Sequence, residues 1–151
     1  MIRIAFVCLG NICRSPMAEF MMKKKVADLG LTDEVYIVSR GTSYEEEGND
    51  TYPPAKRKLI SMSIPVGYHR ATCLEKKDYD LYDYFICMEK RNVENALRIF
   101  GKDKENKIIR LLDLTNNPKD IADPWYTDDF DTTYNEIEQG LEQLIKIITK
   151  E

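Results

Sequence analysis

Apolar residues along this chain follow two alternating rhythms. Nearly unbroken runs at residues 2–7, 35–38, 85–88 and 108–112 are bounded by polar or turn-forming positions, and each predicts a short buried strand. Elsewhere apolar residues return every three or four positions. Met17, Ala18, Met21, Met22, Val26 and Leu29 predict a core-facing helix that Gly30 stops. Leu59, Ile60 and Met62 mark a helix opened by Pro54 and ended by Pro65 and Gly67. Val93, Ala96, Leu97 and Phe100 mark another, closed by Gly101. Tyr134, Ile137, Leu141, Leu144, Ile145 and Ile148 line one face of a last, longer helix.

Strands that alternate with helices pair in parallel through right-handed crossovers, which makes this an α/β chain. In such sheets ligands bind beyond the carboxyl ends of the strands, and the stretch after the first strand sits there. Residues 39–43 are expected to turn away from the second strand. Residues 44–54 carry Glu45, Glu46 and Glu47 and read as a solvated surface loop. Tyr79, Tyr82 and Tyr84 are expected to edge the core. With 151 residues and neither internal repeat nor linker, residues 1–151 are expected to form a single domain.

A formal net charge of −4 argues against a nucleic-acid or acidic-membrane binder. No apolar run approaches a membrane span and no leader pattern stands at residue 1, so a cytoplasmic location is expected. The cysteines, Cys8, Cys13, Cys73 and Cys87, do not read as a disulfide framework in a chain of this kind. There is no Cys-x-x-Cys pair, and His69 is the sole histidine, so no metal site is expected, and no cofactor. Cys73 and Cys87 read as small buried hydrophobes.

The chemistry gathers in Val7-Cys8-Leu9-Gly10-Asn11-Ile12-Cys13-Arg14-Ser15-Pro16, between the first strand and the first helix. Cys8 ends a strand, so its sulfur can point into the mouth of the loop. Successive backbone N–H groups of such a loop converge into an anion-binding nest. The helix beyond adds unpaired N–H groups and its positive dipole end. Gly10 and Asn11 most readily take left-handed backbone. Arg14 offers a planar fork for two phosphoryl oxygens, Ser15 places a hydroxyl beside the sulfur, and Pro16 suits the first helical position. That field favours a thiolate, and a thiolate under a phosphate cradle is a nucleophile for phosphoryl transfer. The glycine-lysine spacing of a nucleotide-binding loop is missing.

Such a nucleophile needs a proton donor for the leaving oxygen and later a base for water. Asp123, held toward extended geometry by Pro124, can serve as both. Trp125 and Tyr126 beside it can wall a slot for a phenyl ring. Asp128 and Asp129 are nearby but lack that setting.

Residues 7–19, Val-Cys-Leu-Gly-Asn-Ile-Cys-Arg-Ser-Pro-Met-Ala-Glu, and Asp123-Pro124-Trp125-Tyr126 resemble the signature of the low-molecular-weight protein tyrosine phosphatases, over essentially the whole chain. The resemblance implies a three-layer sandwich of the flavodoxin-like, Rossmannoid phosphotyrosine phosphatase I type, with a four-stranded parallel sheet covered by helices on both faces. It implies phosphotyrosine hydrolysis through a phosphocysteine, with Cys8 as nucleophile, Arg14 binding phosphate and Asp123 as acid, then base. Leu9, Gly10, Asn11, Ile12, Cys13 and Ser15 would hold the phosphate, and Trp125 and Tyr126 the ring. Ser39 and His69 match the family's serine and histidine that support the strained asparagine, here Asn11.

An oxidised Cys8 is expected to condense with Cys13 and so avoid over-oxidation. The partners implied are tyrosine-phosphorylated proteins, a tyrosine kinase among them, bound by a monomer or weak dimer. In the family the loop equivalent to residues 44–54 borders the mouth, so Glu45, Glu46 and Glu47 would favour substrates with basic flanks. The family's His-x-Ala-Arg is replaced here by His69-Arg70-Ala71-Thr72, which leaves that arginine's part open.

Three rival functions are weaker on these residues. Phosphoarginine phosphatases tend to carry threonine where Ile12 stands, and isoleucine suits an aromatic ring better than a guanidinium. Arsenate reductases share the loop but relay a disulfide through two closely spaced cysteines, unlike Cys73 and Cys87. A phosphate-binding module without turnover would lack one of Cys8, Arg14, Ser15 or Asp123, and all are present.

Overall fold

A computed structural model describes residues 1–150. Four strands, β1 (Ile2–Cys8), β2 (Val35–Gly41), β3 (Tyr84–Cys87) and β4 (Ile108–Arg110), form one parallel sheet in the order β2-β1-β3-β4. The helices are α1 (Arg14–Asp28), α2 (Pro53–Ser61), α3 (Lys90–Phe100), α4 (Pro124–Thr127) and α5 (Phe130–Thr149).

The unbroken apolar run of β1 follows from its central place, where both faces are covered. Ile4 and Phe6 point to one side, into a core shared with Met17, Met21, Leu59, Ile137 and Leu141 of α1, α2 and α5. Ala5 and Val7 point to the other, against Leu74, Tyr82, Ala96 and Phe100 on the α3 side. The alternation follows the two-residue period of a strand and yields the expected three layers.

Several boundaries differ from the sequence expectation. Residues 39–41 do not turn away: β2 runs on to Gly41, because β1 extends to Cys8 and Cys8 pairs with Gly41. The fourth apolar run divides after Arg110, where Leu111–Leu114 tightens into a 3-10 turn that carries Leu111 and Leu112 into the core. There Leu111 lies on Gly140 of α5, where a Cβ would fall 2.4 Å from its Cγ. Helix α2 starts at Pro53 and ends at Ser61, burying only Ala55 and Leu59, while Ile60 and Met62 face outward. Leu97 is also exposed on α3. Pro16 is the third residue of α1, within the first turn, where its missing N–H still costs no helical bond.

Candidate active site

The loop between β1 and α1 closes on the sulfur of Cys8. The Asn11 N–H points at Cys8 Sγ from 3.3 Å, and Ser15 Oγ lies 3.0 Å from it. Thr72 N–H donates to Asn11 Oδ1 at 3.0 Å, which turns the amide so that Nδ2 donates to Ser15 Oγ at 2.8 Å. Ser15 keeps its own proton for one of two acceptors, the sulfur at 3.0 Å or the Arg40 carbonyl at 3.4 Å. The Asn11 N–H and the Ser15 hydroxyl thus converge on Cys8 Sγ.

Asn11 carries the strain of the turn, with φ +60. Gly10, expected to share it, has no positive φ, and a Cβ there would make only ordinary contact with the Glu46 side chain at 3.4 Å. His69, buried, donates from Nε2 to the Asn11 carbonyl at 2.6 Å, which fixes its tautomer and holds the left-handed residue in place. Ser39 does not reach Asn11. Its hydroxyl donates to Glu19 Oε1 at 2.6 Å, and Glu19 in turn pairs with Lys23. Of the two residues expected to brace Asn11, His69 does so and Ser39 ties β2 to α1.

Arg14, 2% exposed, points its guanidinium to the same cavity. Its Nη1 donates to the Ile121 carbonyl at 2.9 Å and lies 3.3 Å from Glu89, and its Nη2 lies 3.3 Å from Asp123 Oδ2. Burial works against its charge, but Cys8, Asp123 and Glu89 outweigh burial and hold the guanidinium protonated. Asp123 is the N-cap of α4, where its Oδ1 accepts the Trp125 N–H at 3.1 Å. Neither Asp128 nor Asp129 lines the cavity, and Asp129 caps α5 through Thr132.

The cavity, of about 140 Å³, is lined by Cys8 to Arg14, with Asp123, Trp125 and Tyr126 on one wall and Glu45 and Glu46 on another. Ser15 sits behind it, wholly buried. Among the described residues no cluster of His, Cys, Asp or Glu is arranged to hold a metal ion.

Residues 3–151 match the family model described as low molecular weight phosphotyrosine protein phosphatase. The chain belongs to that family. A low molecular weight protein-tyrosine-phosphatase PtpA of Staphylococcus saprophyticus is 35% identical, over all of this chain and 96% of the relative. Among solved structures, YfkJ from Bacillus subtilis superposes with a TM-score of 0.95 at 34% identity, covering 99% of this chain and 96% of that one. A YwlE arginine phosphatase mutant with a phosphorylated active-site serine superposes at 0.85 with 28% identity, covering 99% and 97%.

Several residues that shape this phosphatase's site were not singled out from the sequence. Glu89 braces Arg14 from the N-cap of α3, and Asn92 accepts the Met88 and Glu89 N–H groups to hold the turn after β3. Position 72 acts on the loop through its main chain: Thr72 N–H bonds Asn11 and its carbonyl accepts from Gly41. A family arginine at this position is therefore unnecessary for that support. Glu47 turns from the mouth to accept the Cys73 N–H at 3.1 Å, which leaves Glu45 and Glu46 as the acidic rim.

Gly41 is the least replaceable of these. An added Cβ would lie 2.8 Å from the Leu9 carbonyl and 3.2 Å from Asn11 Cβ, so the loop rests directly on its Cα. Those contacts are largely backbone and cannot rotate away. Gly41→Ala is expected to lower kcat/KM on a phosphorylated substrate roughly 10²-fold, since displacement of reacting groups by about 1 Å costs that much. A steady-state assay that finds activity within twofold of the parent would mean the loop tolerates displacement.

Proposed function

We propose that this phosphatase hydrolyses phosphotyrosine in proteins through a phosphocysteine, with Cys8, Arg14 and Asp123 as its catalytic residues. The supporting observation is one small cavity that brings Cys8 Sγ, the Arg14 guanidinium and the Asp123 carboxyl together beneath an apolar rim of Ile12, Trp125 and Tyr126. The name of the staphylococcal relative points the same way.

The Cys8 thiolate attacks phosphorus while Asp123 hands its proton to the departing phenolate oxygen. Arg14 and the N–H groups of residues 9–15 take up charge on the equatorial oxygens. Water then attacks the phosphocysteine, Asp123 removes its proton, and the sulfur leaves as a thiolate with Ser15 and Asn11 N–H to receive it. The phosphorylated active-site serine of the YwlE mutant supports an enzyme-bound phosphoryl group in a protein of this shape.

Oxidation of Cys8 by a peroxide gives a sulfenic acid and water, and attack by the Cys13 thiol then forms a disulfide and releases a second water. Burial, with the nearby Cys8 charge second, pushes the Cys13 thiol far up, so that it waits protonated. The unit is taken as a single domain over residues 1–151. Its place is taken as the cytoplasm, and its partners as tyrosine-phosphorylated proteins with a tyrosine kinase among them. No helix among the described residues is long and apolar enough to cross a membrane.

Phosphoarginine is the second reading, favoured by the acidic rim of Glu45 and Glu46 and by the likeness to an arginine phosphatase. Parallel turnover of a phosphotyrosine peptide and a phosphoarginine peptide, in EDTA, separates the two. The expected result is a kcat/KM at least about tenfold higher on phosphotyrosine, the scale on which a pocket tells apolar from misplaced polar groups. The reverse preference would transfer the assignment to phosphoarginine.

A further inference from the structure

Tyr52 stands outside the cavity lining and plays no part in the mechanism above, yet it touches both halves of the site. Its N–H donates to the Ile12 carbonyl at 2.8 Å, which fixes it to the anion loop. Its ring centre lies 5.0 Å from that of Trp125, tilted by 54°, and 6.3 Å from Phe130 at the start of α5. Trp125 follows Asp123 by two residues, and its N–H holds Asp123 Oδ1.

The segment bearing Asp123 has little cohesion of its own. Helix α4 spans one turn, Pro124–Thr127, and ends at Asp128 in the left-handed region with φ +57. A single turn fixes more backbone than its bonds repay. Trp125 is half exposed, so its packing partner matters to where it stands.

Tyr52 itself is held firmly. The prolines that follow, Pro53 and Pro54, favour the extended backbone it adopts, φ −57 and ψ 129. Its carbonyl accepts the Ala55 and Lys56 N–H groups that open α2. A fixed aromatic ring therefore lies between the loop that carries the nucleophile and the turn that carries the acid.

We propose that Tyr52 is a positioning residue for Asp123. It acts through the face of Trp125, keeping the acid-bearing turn docked to the anion loop. The proposal rests on the assignment of Asp123 as general acid, and its test keeps the two apart.

The experiment measures kcat/KM for wild type, Tyr52→Ala, Tyr52→Phe, Asp123→Ala and the Tyr52→Ala/Asp123→Ala double variant. Two substrates are used, a phosphotyrosine peptide and p-nitrophenyl phosphate. A tyrosine-type phenolate, whose phenol has a pKa of about 10, needs the proton far more than p-nitrophenolate does. Tyr52→Ala is expected to cost roughly tenfold on the peptide and clearly less on p-nitrophenyl phosphate, a part of the general-acid contribution. Tyr52→Phe, which keeps the ring, is expected to restore both. In the Asp123→Ala background Tyr52→Ala is expected to cost nothing further.

Equal losses on both substrates, or a full additional loss in the double variant, would overturn the proposal. So would a Tyr52→Phe variant as impaired as Tyr52→Ala. An Asp123→Ala variant with undiminished turnover would overturn the acid assignment, and the role of Tyr52 with it. Should Tyr52→Ala not fold, Tyr52→Leu, which keeps bulk without a flat face, carries the same test.

Discussion

Cys8→Ser is expected to bring phosphotyrosine turnover down to the background of the assay while leaving phosphate binding in place. The two outcomes separate because the loop binds anions with groups other than the sulfur. Arg14 keeps its braces at Ile121 and Glu89, and Asn11 keeps its ties to Thr72, Ser15 and His69. What is lost is ionisation. A serine hydroxyl at position 8 receives the Asn11 N–H and faces Ser15 Oγ as the sulfur does, but it does not become an anion near neutral pH. Inorganic phosphate titrated calorimetrically should bind the variant as well as it binds the parent. Cys13→Ser, by contrast, removes a thiol that burial keeps protonated, and it should retain turnover. Substantial phosphotyrosine hydrolysis by Cys8→Ser would remove Cys8 as the nucleophile.

What could be read from the sequence depended on whether a feature was local. The strand–loop–helix around Cys8 is one continuous segment, so its chemistry was visible in residue types and spacing, as was the apolar β1 buried on both faces. The Asp123 turn was visible because Pro124 and two aromatics mark it. The errors lie where a distant partner decides. Ser39 was expected at Asn11, but Glu19, twenty residues away on α1, claims its hydroxyl. The apolar run of β2 stops at Val38, and nothing local shows that Cys8 pairs with Gly41 and that residues 72–74 pass beside it.

The same distinction explains the site residues that were missed. Glu89 begins α3 and looks like an ordinary helix-terminal carboxylate until the β1–β3 pairing brings it to Arg14. Glu47 looks equivalent to Glu45 and Glu46, and only the fold shows it bound to the Cys73 N–H. The burial of Leu111 likewise depends on Gly140, a glycine without a local turn to explain it. Each is a long-range contact whose two ends carry no joint signature in a single sequence.

Asp123→Ala is expected to move two measurements in opposite directions, which distinguishes it from a variant that merely disturbs the fold. Turnover of a phosphotyrosine peptide should fall roughly 10²–10⁴-fold in kcat/KM, the usual worth of a general acid, with a smaller loss on p-nitrophenyl phosphate. Phosphate, assayed as a competitive inhibitor, should bind more tightly. In the free enzyme Asp123 Oδ2 lies 3.3 Å from Arg14 Nη2, so an incoming dianion must compete with the Asp123 carboxyl for the guanidinium. Alanine removes the competitor and leaves Arg14 held by Glu89 and the Ile121 carbonyl. Asp129→Ala supplies the contrast. Its carboxyl is held below the usual range by Thr132, whose hydroxyl and N–H it accepts at the start of α5, so its loss should cost stability rather than catalysis. Equal losses of turnover in the two variants, or weaker phosphate inhibition in Asp123→Ala, would mean that the proton comes from elsewhere and that Arg14 needs Asp123 to stay in place.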